Sequence, residues 1–147
     1  MTPADAPAPF VPLEGLAAIA PPEVRDALPL GGWRMDALHK LRLPVRDVAV
    51  AELGWLLDLR VWQAYGRHFA VSPRDVLAAP DVLAHQHERA MRADLAYPVH
   101  LCPWRGRTVI LDGFHRLLKA VLTGRETLPA MLLGEEEFAA IGGLREG

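Results

Sequence analysis

The chain has 147 residues, of which 51% are hydrophobic and 23% charged, a composition typical of one globular domain with a sizeable core. The formal charge of −2 provides no broad basic field, so binding to DNA through its phosphates is disfavoured. The single cysteine, Cys102, excludes an intramolecular disulfide. Apolar runs fall short of the ~18 residues of a membrane span, and residues 1–24 contain no Lys or Arg. We therefore expect a cytoplasmic protein that has no membrane partner.

Proline and alanine dominate the N-terminal segment, where six of the 13 prolines fall within residues 1–22. We expect residues 1–30 to form an extended or partly disordered arm, with a short helix after Pro22. Residues 31–147 are expected to form the domain proper. Apolar spacing predicts a helix within residues 33–41, and alternation predicts a strand at 45–50.

Two helices are predicted in the middle of the chain. The stretch SPRD at 72–75 offers Ser as N-cap, Pro at the first helical position and an acid at the third, which predicts a helix at 73–78. Pro80 should end it. Asp81 is then expected to cap a second helix that continues to about Ala93.

Three further strands follow. Residues 97–102 and 107–111 are predicted to form a hairpin, with Gly106 late in its turn, and residues 127–133 a last strand. Between them, residues 114–123 have the apolar spacing of a helix, which Gly124 would end in a left-handed conformation. A short helix at 135–141 completes the chain. This order predicts an α/β (α+β) domain with a small mixed sheet surrounded by helices.

The most informative stretch is ILDGFHRLLKA at 110–120, where a strand passes into a helix. The free N–H groups of a first helical turn converge on a point that favours an anion. Gly113 permits close approach, Arg116 can bind phosphate through two N–H groups, and His115 can donate a hydrogen bond or pass a proton. Asp112 beside such donors suits a Mg²⁺ ligand or a general base. Alternatively, Asp112 only caps an ordinary helix.

The motif DGFHR at 112–116 resembles the D-G-x-H-R or G-x-x-R turn of the ParB/sulfiredoxin-like superfamily, whose members hold nucleotide phosphates at this helix start. The resemblance extends over about residues 43–133 and is strongest to small stand-alone ParB-like bacterial proteins. It implies their fold. It also implies a nucleotide triphosphate or diphosphate (ATP, ADP or CTP) with Mg²⁺ as ligand.

Departures from two branches of that superfamily narrow the activity. Sulfiredoxins have a catalytic cysteine where Phe114 stands here, so their chemistry is not expected. Partition ParB proteins resemble the turn through Gly113 and Arg116. Only 14 residues follow Leu133, so the DNA-reading regions of those proteins are not expected.

The third branch, the free serine kinases, carries a D-G-H-T-R turn. Asp112, Gly113 and Arg116 match that turn, whereas Phe114 and His115 replace its His and Thr. The resemblance therefore implies a phosphate site of the kinase type and leaves the substrate open.

We accordingly expect a nucleotide-dependent small-molecule enzyme, in the first place a phosphotransferase, with Asp112 and His115 as catalytic residues and Asp112 as the Mg²⁺ ligand. The residues expected to bind the nucleotide phosphates are Gly113, Phe114, Arg116, Lys119, His85 and Arg89. The last two are spaced i and i+4 on one helix face. Asp58 and Glu52 are rival candidates for the catalytic base. A non-catalytic nucleotide-binding or regulatory ParB-like module is the alternative function, and a homodimer is left open.

Overall fold

Helices and strands are distributed over residues 2–144, the part of the chain that the computed structural model describes. The helices are α1 Leu13–Ile19, α2 Pro22–Ala27, α3 Met35–Lys40, α4 Val50–Leu53, α5 Pro73–Ala78, α6 Ala84–Arg92, α7 Phe114–Leu122 and α8 Glu135–Ala140, with a 3-10 helix at Gly54–Asp58. The strands are β1 Val45–Ala49, β2 Trp62–Ala64, β3 Arg67–Val71, β4 Val99–Trp104, β5 Arg107–Asp112 and β6 Thr127–Leu132. Within this range no helix combines the length and the apolar character needed to cross a bilayer.

Four strands form the main sheet in the order β1-β6-β4-β5, and β2 and β3 form a separate hairpin. Strands β4 and β6 are parallel, whereas β1 with β6 and β4 with β5 are antiparallel. The expectation of an α+β domain with a mixed sheet is confirmed at this level. Helix α7 follows the edge strand β5 directly and connects it to β6. The predicted turn at 112–113 therefore lies at one end of an edge strand.

Helix α7 is fixed by packing on two sides. Its Leu117 and Ala120 are fully buried in the main core beside the sheet, and its Leu118 is fully buried in a smaller core beneath β2, β3 and α5. Each fully buried leucine contributes about 1.5–3 kcal/mol. The position of the α7 N-terminus is therefore set by apolar contacts that lie beyond the turn itself.

The N-terminal segment differs from the extended arm that the sequence predicts. Residues 13–19 form α1, and Ala20, Val24 and Leu28 are buried in the main core. A core that includes these side chains begins before the predicted boundary at 30/31, while residues 145–147 of the predicted domain lie outside the described residues. Prolines stand at the N-cap or first-turn positions of α1 and α2, where they favour a helix instead of interrupting it.

The helix predicted at 73–78 is confirmed together with its cap. The Ser72 hydroxyl accepts a hydrogen bond from the Asp75 N–H at 3.1 Å, and the Asp75 carboxylate accepts one from the Ser72 N–H at 2.9 Å. The cap predicted at Asp81 is wrong. Helix α6 begins only at Ala84, its N-cap Leu83 has no capping side chain, and the His85 N–H donates instead to the Asp5 carboxylate at 3.2 Å.

Candidate functional site

The turn between β5 and α7 leaves the start of the helix open. Gly113 is the N-cap, and the first hydrogen bond of the helix runs from the Leu117 N–H to the Gly113 carbonyl at 3.0 Å. The N–H groups of residues 114–116 precede that bond, and no side chain in the described range caps this helix. These groups and the helix dipole together favour an anion at the turn.

Gly113 is required by both its backbone angle and its surroundings. Its φ is 128°, a region in which side chains are strained, and an added Cβ would lie 2.5 Å from Val99 Cγ1. Strand β4 therefore packs directly against the backbone of the turn. This close contact fixes where the open N–H groups point.

Asp112, the last residue of β5, contacts two cationic or polarisable side chains. Its Oδ2 lies 2.9 Å from Nε2 of His39 on α3 and 3.9 Å from Nη1 of Arg116. The Asp112 side chain is 29% exposed and that of His39 is 53% exposed. The site thus presents a solvent-accessible pair of a carboxylate and an imidazole next to the open helix start.

Arg116 is held at the same opening. Its Nε donates a hydrogen bond to the Asp94 carbonyl at 3.3 Å, so the backbone that follows α6 lies beside the turn. A guanidinium carries five N–H donors, so these contacts leave donors for an anion. Asp112, Gly113 and Arg116 are therefore brought together as predicted.

A buried histidine lies against the site from β4. His100 pairs with Asp112 in the strand register, its ring centroid lies 5.8 Å from that of His39, and it is 7% exposed. Its Nδ1 has no hydrogen-bond partner among the described residues. Burial lowers the pKa of His100, although the Asp112 carboxylate opposes that change. We expect a neutral imidazole here at pH 7.

His115 points away from this opening toward α6 and β2. Its ring stacks on Trp62 with centroids 4.2 Å apart, and its Nε2 lies 2.8 Å from Gln86 Oε1. Burial is the main cause that lowers the pKa of His115 to about 4, and the nearby Arg89 and His85 lower it further. A neutral ring in this packing position supplies no positive charge to a phosphate at pH 7.

The pKa of His115 has a consequence for stability. The unfolded chain takes up a proton at this residue near pH 6.5, whereas the folded chain does so only near pH 4. The contribution of His115 to the free energy of unfolding is therefore fully present above about pH 6.5 and is lost as the pH falls toward 4. Between pH 7 and 5 the loss should be about 1–2 kcal/mol, allowing for partial exposure. Urea denaturation at pH 7 and pH 5 measures the free energy of unfolding. Between these pH values, His115→Gln should lose less of it than the wild type does.

The matched control for this prediction is His87→Gln, which changes another histidine, on α6. It should keep the full pH dependence of the wild type. Burial lowers the pKa of His100 as well, so His115→Gln should reduce the dependence without abolishing it. An unchanged pH dependence in His115→Gln would contradict the assignment.

The side chains of the remaining predicted residues lie around the turn and do not contact Asp112 or Arg116 through a hydrogen bond or ion pair. Lys119 Nζ donates to the Ala93 carbonyl at 2.6 Å and so ties α7 to the end of α6. His85 and Arg89 are exposed on α6, on the side of His115. Phe114 lines an apolar cavity. Their assignment to phosphate binding stays a prediction.

The two rival bases differ in their surroundings. Asp58 forms an ion pair with Arg74 of α5. Glu52 is an exposed residue in the first turn of α4. The carboxylate that faces the open helix start is Asp112, which leaves the other two as weaker candidates.

Sequence reasoning missed His39 and His100. His39 lies 73 positions before Asp112, and only the tertiary fold brings the two together. His100 carried a usable signal, because a histidine within the apolar strand VHLC must be buried and buried polar side chains need partners.

Among the described residues, no group of three or more His, Cys, Asp or Glu side chains is arranged to hold a metal ion. No protein-family model, curated protein or solved structure matches this chain. The geometry of the turn is therefore the feature that indicates a function.

Proposed function

We propose that the protein is a ParB/sulfiredoxin-like domain that binds a nucleotide at the N-terminus of α7 and transfers a phosphoryl group to a small hydroxyl compound. One observation carries the proposal. Uncapped helix N–H groups, the Arg116 guanidinium and the accessible Asp112 carboxylate meet at one turn. The first two bind an anion, and the third would act on the acceptor.

The phosphate would be bound jointly by the helix and by Arg116. A helix dipole alone contributes only about 0.3–1 kcal/mol at an exposed site, so a charged partner is needed. The contacts of Arg116 with the Asp94 carbonyl and with Asp112 hold its guanidinium beside the turn. Preorganised donors of this kind are what phosphoryl transfer chiefly requires.

The proposed transfer needs no reactant besides the nucleotide, the acceptor and the residues of the turn. The acceptor hydroxyl oxygen forms a bond to the terminal phosphorus, and the bond from phosphorus to the bridging oxygen breaks. The nucleotide, shorter by one phosphate, leaves with that electron pair: a triphosphate donor gives the nucleoside diphosphate and a diphosphate donor gives the monophosphate. The hydroxyl proton passes to the Asp112 carboxylate. His39 holds this carboxylate in place through its contact at 2.9 Å.

Mg²⁺ fits the donor set of Asp112. The ion needs only one or two carboxylates when phosphates and waters complete its shell. The contacts of Asp112 with His39 and Arg116 fall on Oδ2, which leaves Oδ1 for a cation. When bound, Mg²⁺ neutralises charge on the phosphates.

Arg116→Ala provides the direct test of the phosphate site. We expect ATP, ADP, CTP or GTP with Mg²⁺ to raise the melting temperature of the wild type. Arg116→Ala should weaken the binding of that nucleotide at least about tenfold, since a charge-assisted contact is worth 1.4 kcal/mol or more. Titration calorimetry with the selected nucleotide measures the change.

The matched control is Arg125→Ala, which removes an exposed arginine beyond the other end of α7. It should bind the nucleotide as the wild type does. No shift with any nucleotide, or a shift that Arg116→Ala retains, would overturn the proposal. Binding without transfer of the terminal phosphoryl group would replace the enzyme by the non-catalytic nucleotide-binding module.

A further inference from the structure

A cavity of about 300 Å³ lies between the N-terminal segment and the start of α7. Its walls include Leu16 of α1, Leu30 and Trp33 ahead of α3, and Phe69 of β3. Its volume is at the lower end of the range of about 300–1,000 Å³ found for small-molecule sites. The cavity is therefore large enough for one ring system.

Aromatic side chains from three separate segments line this cavity: Trp33, Phe69 and Phe114. The Trp33 indole donates its N–H to the Pro29 carbonyl at 2.7 Å. This bond satisfies the polar atom of the indole and fixes its plane at the wall. Fixed aromatic faces favour a planar ring as ligand.

Phe69 is held in an unusual backbone conformation. Its φ is 51°, which is rare for a bulky residue and costs about 1–3 kcal/mol. The side chain held in this way lines the cavity. Such strain persists where the surrounding structure fixes it, and here it coincides with a ligand-sized space.

The lining of the cavity provides few partners for a charged group. Among the lining residues that the structure describes, His68 alone is ionisable. Its Nε2 lies 2.6 Å from the Pro9 carbonyl, and because a carbonyl only accepts, Nε2 carries the hydrogen. An ion without a partner would lose several kcal/mol of solvation here, so the cavity favours an uncharged ligand.

We propose that this cavity binds the uncharged aromatic ring of the acceptor, which is thereby a ring-bearing alcohol and not a polar amino acid. Leu111 and Phe114 line the cavity and flank residues 112–113. The proposal places the hydroxyl group of the acceptor, on a short chain from the bound ring, at Asp112 in the turn between these two residues. The role as acceptor rests on the proposed function, whereas binding of the ring does not.

The test uses 2-phenylethanol as the probe and serine as its polar counterpart, without nucleotide. Ligand-detected NMR titration should show that 2-phenylethanol binds the wild type and that serine binds at least tenfold more weakly. Leu30→Trp, which fills the cavity, should weaken the binding of 2-phenylethanol at least tenfold. Val82→Trp adds the same side chain at a 56% exposed position and should leave binding unchanged.

Two further measurements test the inference if the Leu30→Trp variant does not fold. Phe69→Gly relieves the strained φ and removes one aromatic wall of the cavity. Because that wall is lost, the affinity for 2-phenylethanol should fall at least tenfold. In the wild type, nuclear Overhauser effects should connect the ring protons with the Leu30 methyl groups. No binding of 2-phenylethanol, or binding without these contacts, would overturn the inference.

The outcomes separate this inference from the proposed function. Nucleotide binding that depends on Arg116, combined with failure of 2-phenylethanol to bind, would overturn only the ring site. Binding of 2-phenylethanol without any nucleotide response would keep the ring site and overturn the transferase. Both results are obtained on the full chain.

Discussion

Asp112→Asn is expected to reduce phosphoryl transfer by about two to four orders of magnitude, the contribution of a general base. Asparagine has nearly the same shape, but it neither accepts the hydroxyl proton nor offers a charge to Mg²⁺. Phosphorus NMR with the bound nucleotide, using 2-phenylethanol and serine as acceptors, measures the loss. Affinity for the nucleotide measured without Mg²⁺ should be kept, because removal of a negative charge beside the phosphates does not weaken their binding.

The control for this prediction is Asp47→Asn, which changes an exposed carboxylate on β1. Its transfer rate should equal that of the wild type. The stability of Asp112→Asn should fall by no more than about 1 kcal/mol, since the ion pair it breaks is partly exposed. Transfer that persists in a folded Asp112→Asn would remove Asp112 from the reaction.

Local signals explain why some elements were predictable. Helix α5 has its capping residues within four positions, and α7 has an apolar face at helical spacing followed by Gly124 in a left-handed conformation. These features act between neighbours in sequence. The turn at 112–113 was found for the same reason, because it lies where a strand pattern changes to a helix pattern.

Other elements depend on distant contacts. The hairpin of β2 and β3 turns at Tyr65 and Gly66, both with positive φ, and Tyr65 is not a residue that the usual turn patterns identify. The Tyr65 N–H donates to the Ala4 carbonyl and the Gly66 N–H to the Ala6 carbonyl, each at 3.0 Å. The N-terminal segment is thus ordered by a partner that a local pattern does not contain.

The candidate site shows the same division. Asp112, Gly113 and Arg116 were predicted together because they belong to one turn. His39 and His100 come from α3 and β4, and their approach is a property of the tertiary packing. His115 belongs to the same motif, but helical rotation turns its ring toward Trp62 and Gln86, and its catalytic role stays a prediction.

Gly113→Ala should lower the free energy of unfolding by about 3 kcal/mol, one of the largest effects expected of a single methyl group here. The methyl carbon would meet Val99 Cγ1 at 2.5 Å and Val99 Cβ at 2.8 Å, and the φ of 128° adds backbone strain. Relief of the contact would require a shift of β4 or of the turn. Urea denaturation at pH 7 measures the change, and nucleotide binding should be lost as the open N–H groups move.

Gly124→Ala is the reference for a positive φ without a packing contact, because its φ is 70° and its added Cβ would meet nothing within 4 Å. Its loss should be limited to the backbone strain of about 1 kcal/mol, with nucleotide binding unchanged. Gly113→Ala should lose more, because a φ of 128° lies outside the left-handed α region and because its methyl group also meets Val99. Equal losses in the two variants would mean that Val99 yields and that β4 does not position the open N–H groups of the turn.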